Sequence, residues 1–229
     1  MNSEPTEPPE PVGVGPWSGS PPAAELVGTR YDPDLLAEGD RRNVVDRYRY
    51  WRVEAIVADL DARRAGLHVG IENFAHDLNI GSVVRTANAV NVAAVHVVGR
   101  RRWNRRGAMV TDRYLHLLHH HDADALAGWC ADEGLVLIGV DNVPGAVPLE
   151  TYDLPERALL LFGQESTGLT QAAQDACAAV LSIYSDGSTR SLNVAAAAAI
   201  AMHAWVRRWR FAQRPFDQPA AQGHGSMCR

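Results

Sequence analysis

Three short segments, far apart in a chain of 229 residues, combine glycine, amide, hydroxyl and charged side chains in patterns suited to holding a ligand. The first is Asn79-Ile80-Gly81-Ser82-Val83-Val84-Arg85-Thr86-Ala87. Asn79 is a good N-cap, and Gly81 keeps the first helical turn free of side chains. The amides of such a turn, with the helix dipole behind them, suit an anionic group. Arg85 follows about one and a half turns later, where its guanidinium reaches the same place. The second segment is Phe162-Gly163-Gln164-Glu165-Ser166-Thr167-Gly168-Leu169, in which Gly163 and Gly168 let backbone approach a ligand closely. The third, Ser191-Leu192-Asn193-Val194, opens an alanine-rich helix after a polar loop, Ser185 to Arg190.

The elements around these segments must bring them together. Leu67–Glu72 reads as a short apolar strand and 79–90 as an amphipathic helix. Strands are expected at 94–99, 135–140, 158–162 and 180–184, with helices at 122–133, 171–178 and 191–210. Strands alternating with helices imply an α/β fold with a mostly parallel sheet flanked by helices. In such sheets ligands bind beyond the carboxyl ends of the strands, where all three segments fall. Asp141 and Asn142 follow the 135–140 strand at that same edge and are expected to border the ligand.

In order and spacing, the three segments resemble the SpoU (TrmH-like) family of the SPOUT superfamily, RNA 2′-O-ribose methyltransferases that use S-adenosylmethionine. The resemblance spans residues 67 to 207. It implies a SPOUT fold with a C-terminal trefoil knot, S-adenosyl-L-methionine as cofactor, an RNA substrate and a homodimer. By family match, Arg85 is the catalytic residue and Asn79 supports it. Gly163, Glu165 and Gly168 belong to the cofactor pocket, where Glu165 could cap the following turn or face the methylsulfonium and adenosine region. Ile183 and Leu192 would offer backbone groups to adenine, while Ser191 and Asn193 hold the reacting end. Asp141 could hydrogen-bond the ribose hydroxyls. A ribose hydroxyl is a poor nucleophile while protonated. Arg85 could remove its proton despite arginine's pKa above about 12, or stay charged and stabilise the forming alkoxide. The family favours the first role; the physics leaves both open. A catalytically silent RNA-binding or assembly module, or a base-methylating SPOUT enzyme, would be the alternatives. The extensions favour tRNA over rRNA as substrate.

Composition narrows the field further. All 22 basic residues are arginine, which excludes a Schiff-base lysine and a Walker-A phosphate loop. No glycine-rich loop follows the first strand, against a Rossmann-type methyltransferase. The absence of a long apolar run and of a signal-like N-terminus leads to an expectation of a soluble, cytoplasmic protein. Cys130, Cys177 and Cys228 lack metal or disulfide spacing, and His119-His120-His121 reads as a surface loop, so no metal is expected. The net charge of −5 conceals an uneven distribution: residues 1–40 hold eight acids and one base, which leaves +2 for the remainder. Residues 1–40 are therefore expected to form a disordered acidic leader, dispensable for folding. A basic helical extension is expected over 41–66, the methyltransferase domain over 67–212 and a flexible tail over 213–229. Arg41 and Arg42 in the extension, and Arg100, Arg101 and Arg105 around Trp103, are the candidate RNA contacts.

Overall fold

The computed structural model describes residues 13–74, 79–165 and 167–211. The expected tail, the first twelve residues of the expected leader and Ser166 lie outside that range. The chain divides into two units, residues 1–63 and 64–229.

In the first unit the expected disorder is not what residues 13–40 show. Trp17 packs edge-on against Tyr50 at 5.1 Å and Tyr31 at 6.0 Å, and Tyr31 against Trp51 at 6.5 Å. Tyr50 donates its hydroxyl to the Gly15 carbonyl at 2.6 Å, and Val14 pairs with Asp40 through backbone hydrogen bonds. Few apolar residues lie in the segment, but its aromatics find partners beyond position 40, which a composition count does not register. Helix α1 (Pro33–Glu38) is capped by the Asp32 side chain, which accepts from the Asp34 and Leu35 amides. Asp40 is fully buried and accepts from Arg42 Nη2 at 2.7 Å and from the Tyr50 amide at 2.9 Å. Burial alone would raise the pKa of this carboxyl. Its hydrogen bonds from Arg42 and Tyr50 outweigh burial and hold it below the usual value.

The expected helix over 41–66 is shorter than its pattern suggested. Tyr50 sits at φ 64°, where a helix cannot continue, and helix α2 (Val53–Asp61) begins after it, burying Ile56 and Leu60. Arg42 also donates to the Trp51 carbonyl at 2.8 Å, so it staples the unit together and does not present itself to RNA as expected. Arg41 remains exposed.

The second unit is built on a seven-stranded sheet: β1 (Leu67–Asn73), β2 (Val95–Gly99), β3 (Leu117–His120), β4 (Val136–Val140), β5 (Val147–Pro148), β6 (Ala158–Phe162) and β7 (Ala179–Ser182). The spatial order is β3-β2-β1-β6-β4-β7-β5, with every pairing parallel. Between strands run α3 (Ile80–Val90), α4 (Ala123–Asp132) and α5 (Gln171–Ala176), and α6 (Val194–Val206) follows the last strand. Strand β6 shows how one sequence serves two layers. Side chains alternate across a strand, so Leu160 and Phe162 join a core with α3 and α6 residues, while Leu159 and Leu161 join another with α4 and α5. Ala198 and Ala201 are fully buried, and their small size lets α6 lie close on α3. The two strands not foreseen, β3 and β5, are edge strands with a partner on one side only, so neither carries a continuous apolar run.

The buried strand positions also carry an unexpected polar group. His120 is not in a surface loop but 9 % exposed at the end of β3. Its Nε2 lies 2.9 Å from His96 Nδ1, and His96 Nε2 lies 3.0 Å from His68 Nδ1, forming a diagonal ladder across β3, β2 and β1. The Trp129 ring from α4 covers it, 4.5 Å from the His96 ring.

Candidate active site

The carboxyl ends of β4, β6 and β7 surround a cavity of about 360 Å³. Its walls include Asp141 and Asn142 after β4, Gly163, Gln164, Glu165, Thr167 and Gly168 after β6, and Ile183, Ser185, Arg190, Ser191 and Leu192 after β7. Of the residues expected to hold a cofactor, all line this space except Asn193, which stands behind Glu165.

Glu165 joins the three segments. Asn79 Nδ2 donates to Glu165 Oε2 at 2.6 Å, and Asn193 Nδ2 donates to Glu165 Oε1 at 3.1 Å and to Asn79 Oδ1 at 3.0 Å. Asn193 Oδ1 in turn caps α6 by accepting from the Ala195 and Ala196 amides. Residues separated by as many as 114 positions therefore form one hydrogen-bonded triad. Asn79 departs from expectation here: its side chain makes no capping bond to α3, because it is spent on Glu165. Gly81 also serves another purpose. A Cβ there would stand 2.7 Å from the Ala108 amide nitrogen and the Gly107 Cα, so the first turn of α3 is covered by backbone and is not an open anion site.

The loop carrying Glu165 is held rigidly at its base. Gln164 and Gly168 exchange two backbone hydrogen bonds, at 3.0 and 2.9 Å. A Cβ at Gly163 would overlap the Gly168 backbone, and one at Gly168, with φ +67°, the Asp141 carboxylate. Asp141 borders the cavity as expected, but its oxygens already have partners: Oδ1 accepts from the Asn142 amide and Oδ2 from the Leu169 amide, each at 2.7 Å. Glu72, at the end of β1 and wholly buried, accepts from the Thr170 amide at 2.7 Å and its hydroxyl at 2.6 Å. Burial pushes the Glu72 carboxyl above its ordinary pKa, against these two hydrogen bonds. The sequence reading missed Glu72. An acid inside an apolar strand was the signal that it is buried for a purpose.

Arg85 is exposed on α3, does not line the cavity, and has no hydrogen bond or ion pair among the described residues. Arg100 and Arg101 are exposed in the loop after β2. Arg105 is exposed too, but it lies 3.3 Å from Asp112 and over the Trp103 ring at 5.6 Å. Trp103 is itself packed half-buried against the core. Among the described residues no cluster of His, Cys, Asp and Glu could hold a metal ion, and no helix is long and apolar enough to cross a membrane.

The model of the SpoU rRNA Methylase family matches residues 66–203, more than half of the chain. A tRNA (guanosine(18)-2′-O)-methyltransferase of Escherichia coli K12 is 27 % identical over 158 residues, 68 % of each protein. The SpoU methyltransferase AviRb of Streptomyces viridochromogenes, solved in complex with the cofactor AdoMet, is 26 % identical with a TM-score of 0.58, over 68 % of this chain and 62 % of that one. For the fold alone, the TrmH/SpoU tRNA modifying enzyme of A. aeolicus superposes with a TM-score of 0.61 at 19 % identity, covering 69 % of this chain and 82 % of its own.

Proposed function

The chain belongs to the SpoU rRNA methylase family, and from that premise we propose that it methylates a ribose 2′-hydroxyl of RNA at the expense of S-adenosylmethionine, with tRNA the preferred substrate. The observation that carries this reading is the Asn79–Glu165–Asn193 triad beside the cavity. A binding module needs no such convergence of three remote segments onto one carboxylate.

The cavity fits the cofactor by its donor set. It offers loop backbone at Gly163, Gly168, Ile183 and Leu192, an apolar wall from Phe162 and Val194, and a carboxylate at Glu165. When bound, S-adenosylmethionine supplies an electrophilic methyl group on a cationic sulfur. Glu165, oriented by two amide donors, places negative charge toward that sulfonium. Ser191 and Asn193 hold the start of α6 where the methyl donor and the ribose meet. Arg85 stands outside the cavity and is available to the substrate's phosphate and hydroxyl. A trefoil knot formed by the segments around the cavity, and a homodimer completing the RNA surface, are part of the same proposal.

Incubation with labelled S-adenosylmethionine and either tRNA or rRNA, followed by nucleoside analysis, tests it. A labelled 2′-O-methylnucleoside from tRNA is the expected result. A labelled base would overturn the ribose reading, label in rRNA alone the substrate preference, and no label the enzyme reading.

Two further outcomes are expected. Asn193→Ala removes the cap of α6 and one of the two amides on Glu165, and should weaken S-adenosylhomocysteine binding about tenfold. Unchanged affinity by calorimetry would make the third segment purely structural. RNA affinity should fall steeply with salt, and replacing Arg101 and Arg105 by alanine should flatten the log–log slope by about one unit for each phosphate no longer gripped. Arg101 is expected to account for most of this, because Arg105 is shared with Asp112. An unaltered slope would show that the loop faces away from RNA.

A further inference from the structure

The cavity contains three charged residues, and two of them are satisfied by the protein itself. Both oxygens of Asp141 accept backbone amides. Both oxygens of Glu165 accept side-chain amides. The third, Arg190, is the sole cation of the lining, and its guanidinium has no hydrogen bond or ion pair among the described residues. Its backbone, in contrast, is fixed: Asn142 Nδ2 donates to the Arg190 carbonyl at 2.9 Å, tying the loop after β7 to the end of β4. An arginine held by its main chain at a cavity wall, with its side chain unspent, is arranged to meet an anion that enters the cavity.

We propose that Arg190 binds the α-carboxylate of the cofactor's methionine moiety. This rests on the methyltransferase reading above and adds to it a residue that sets how much of the cofactor is recognised. S-adenosylmethionine carries one anionic group, the carboxylate, and two cationic ones, the sulfonium and the ammonium. The cavity offers the complementary pattern, with the Glu165 carboxylate for a cation and the Arg190 fork for a carboxylate. The planar guanidinium matches a carboxylate with two parallel N–H···O bonds, which a lysine would not reproduce. The two unpartnered arginines near the site then divide the anions between them. Arg190, exposed on the cavity wall, takes the cofactor's carboxylate, and Arg85, outside it, faces the RNA.

The test compares two nucleosides that differ in the group concerned. S-adenosylhomocysteine has the amino-acid carboxylate, whereas 5′-methylthioadenosine has the same adenosine and thioether without it. Calorimetry with the wild-type chain and with Arg190→Ala is expected to show S-adenosylhomocysteine weakened about ten- to hundredfold, and 5′-methylthioadenosine changed by less than about twofold. Retained 5′-methylthioadenosine binding also shows that the variant has kept its cavity. Arg190→Lys should recover only part of the loss. Equal weakening of both nucleosides would overturn the assignment and make Arg190 a structural support of the loop. Unchanged S-adenosylhomocysteine affinity with weakened tRNA binding would overturn it in favour of a phosphate contact. Wild-type chain that binds neither nucleoside would overturn the methyltransferase reading itself, and the assignment with it.

Discussion

Arg85→Ala is expected to lower the rate of methyl transfer by about two to three orders of magnitude, the usual scale for removing a charge that acts on a developing oxyanion. The affinity for S-adenosylhomocysteine should remain within about twofold of the wild-type value. The split follows from where the residue stands. Arg85 sits on α3 with an exposed side chain, next to the helix start that carries Asn79, yet it contributes nothing to the cavity wall. A residue placed in this way can touch the nucleophile and its flanking phosphate without touching adenosine. Single-turnover kinetics with enzyme in excess over tRNA, together with calorimetry, separate the two quantities. A large loss of nucleoside affinity would assign Arg85 to the cofactor and leave the hydroxyl without a positioned cation. Arg85→Lys keeps the charge but not the fork, so partial recovery of rate is expected if charge near the oxygen is what matters.

The sequence made the site more legible than its surroundings, for physical reasons. Gly163 and Gly168 had to be glycine because backbone and a carboxylate occupy the space of any side chain there. Such positions keep a local signature that survives without knowledge of the fold. The pairing of Asn79 with Glu165 could not be read locally, since it bridges 86 positions and competes with an equally good capping role at the same residue. Tertiary geometry decided between the two. The central strands were visible as apolar runs because both their faces are covered. The edge strands β3 and β5 were not, because an edge position admits histidine, proline and exposed leucine. The acidic N-terminal segment misled for a related reason. Its aromatics are sparse, but each closes on a ring brought from residues 48–51, and Asp40 is neutralised by Arg42 within the same fold. Net charge and mean composition describe neither arrangement.

The histidine ladder makes a second large effect expected, in stability against pH. Burial first, and then the Arg157 charge, lower His68 to about 4. Burial first, and then the neighbouring His68 and His120, lower His96 to about 3. His120 is lowered too, by burial and then by His119 and His121. In the unfolded chain each imidazole takes a proton near 6.5. Between that value and about 4, the unfolded chain binds more protons than the folded one, so stability rises with pH through this window. The ladder's contribution is whole above about pH 6.5 and lost progressively below it, at up to about 1.4 kcal/mol per pH unit for each proton taken up on unfolding. The fully buried His96 alone accounts for a loss on the order of 4 kcal/mol by pH 3, a large share of the stability of an ordinary domain. Carboxylates act mainly below about pH 5, the raised Glu72 excepted, so the interval from 6.5 to 5 is dominated by the imidazoles. Urea unfolding at half-unit pH steps should show free energy falling steeply across that interval. His96→Leu should flatten the slope even though it starts from lower stability at pH 7, because His68 and His120 each lose a partner. In parallel, the ring-proton resonances of His68 and His96 should stay essentially unshifted from pH 7 to 5 in the folded chain, and those of His120 should titrate below the ordinary value. A stability curve level from pH 7 to 5, or ladder resonances that titrate near 6.5, would mean that water reaches the space beneath Trp129 and that the imidazoles are not held neutral.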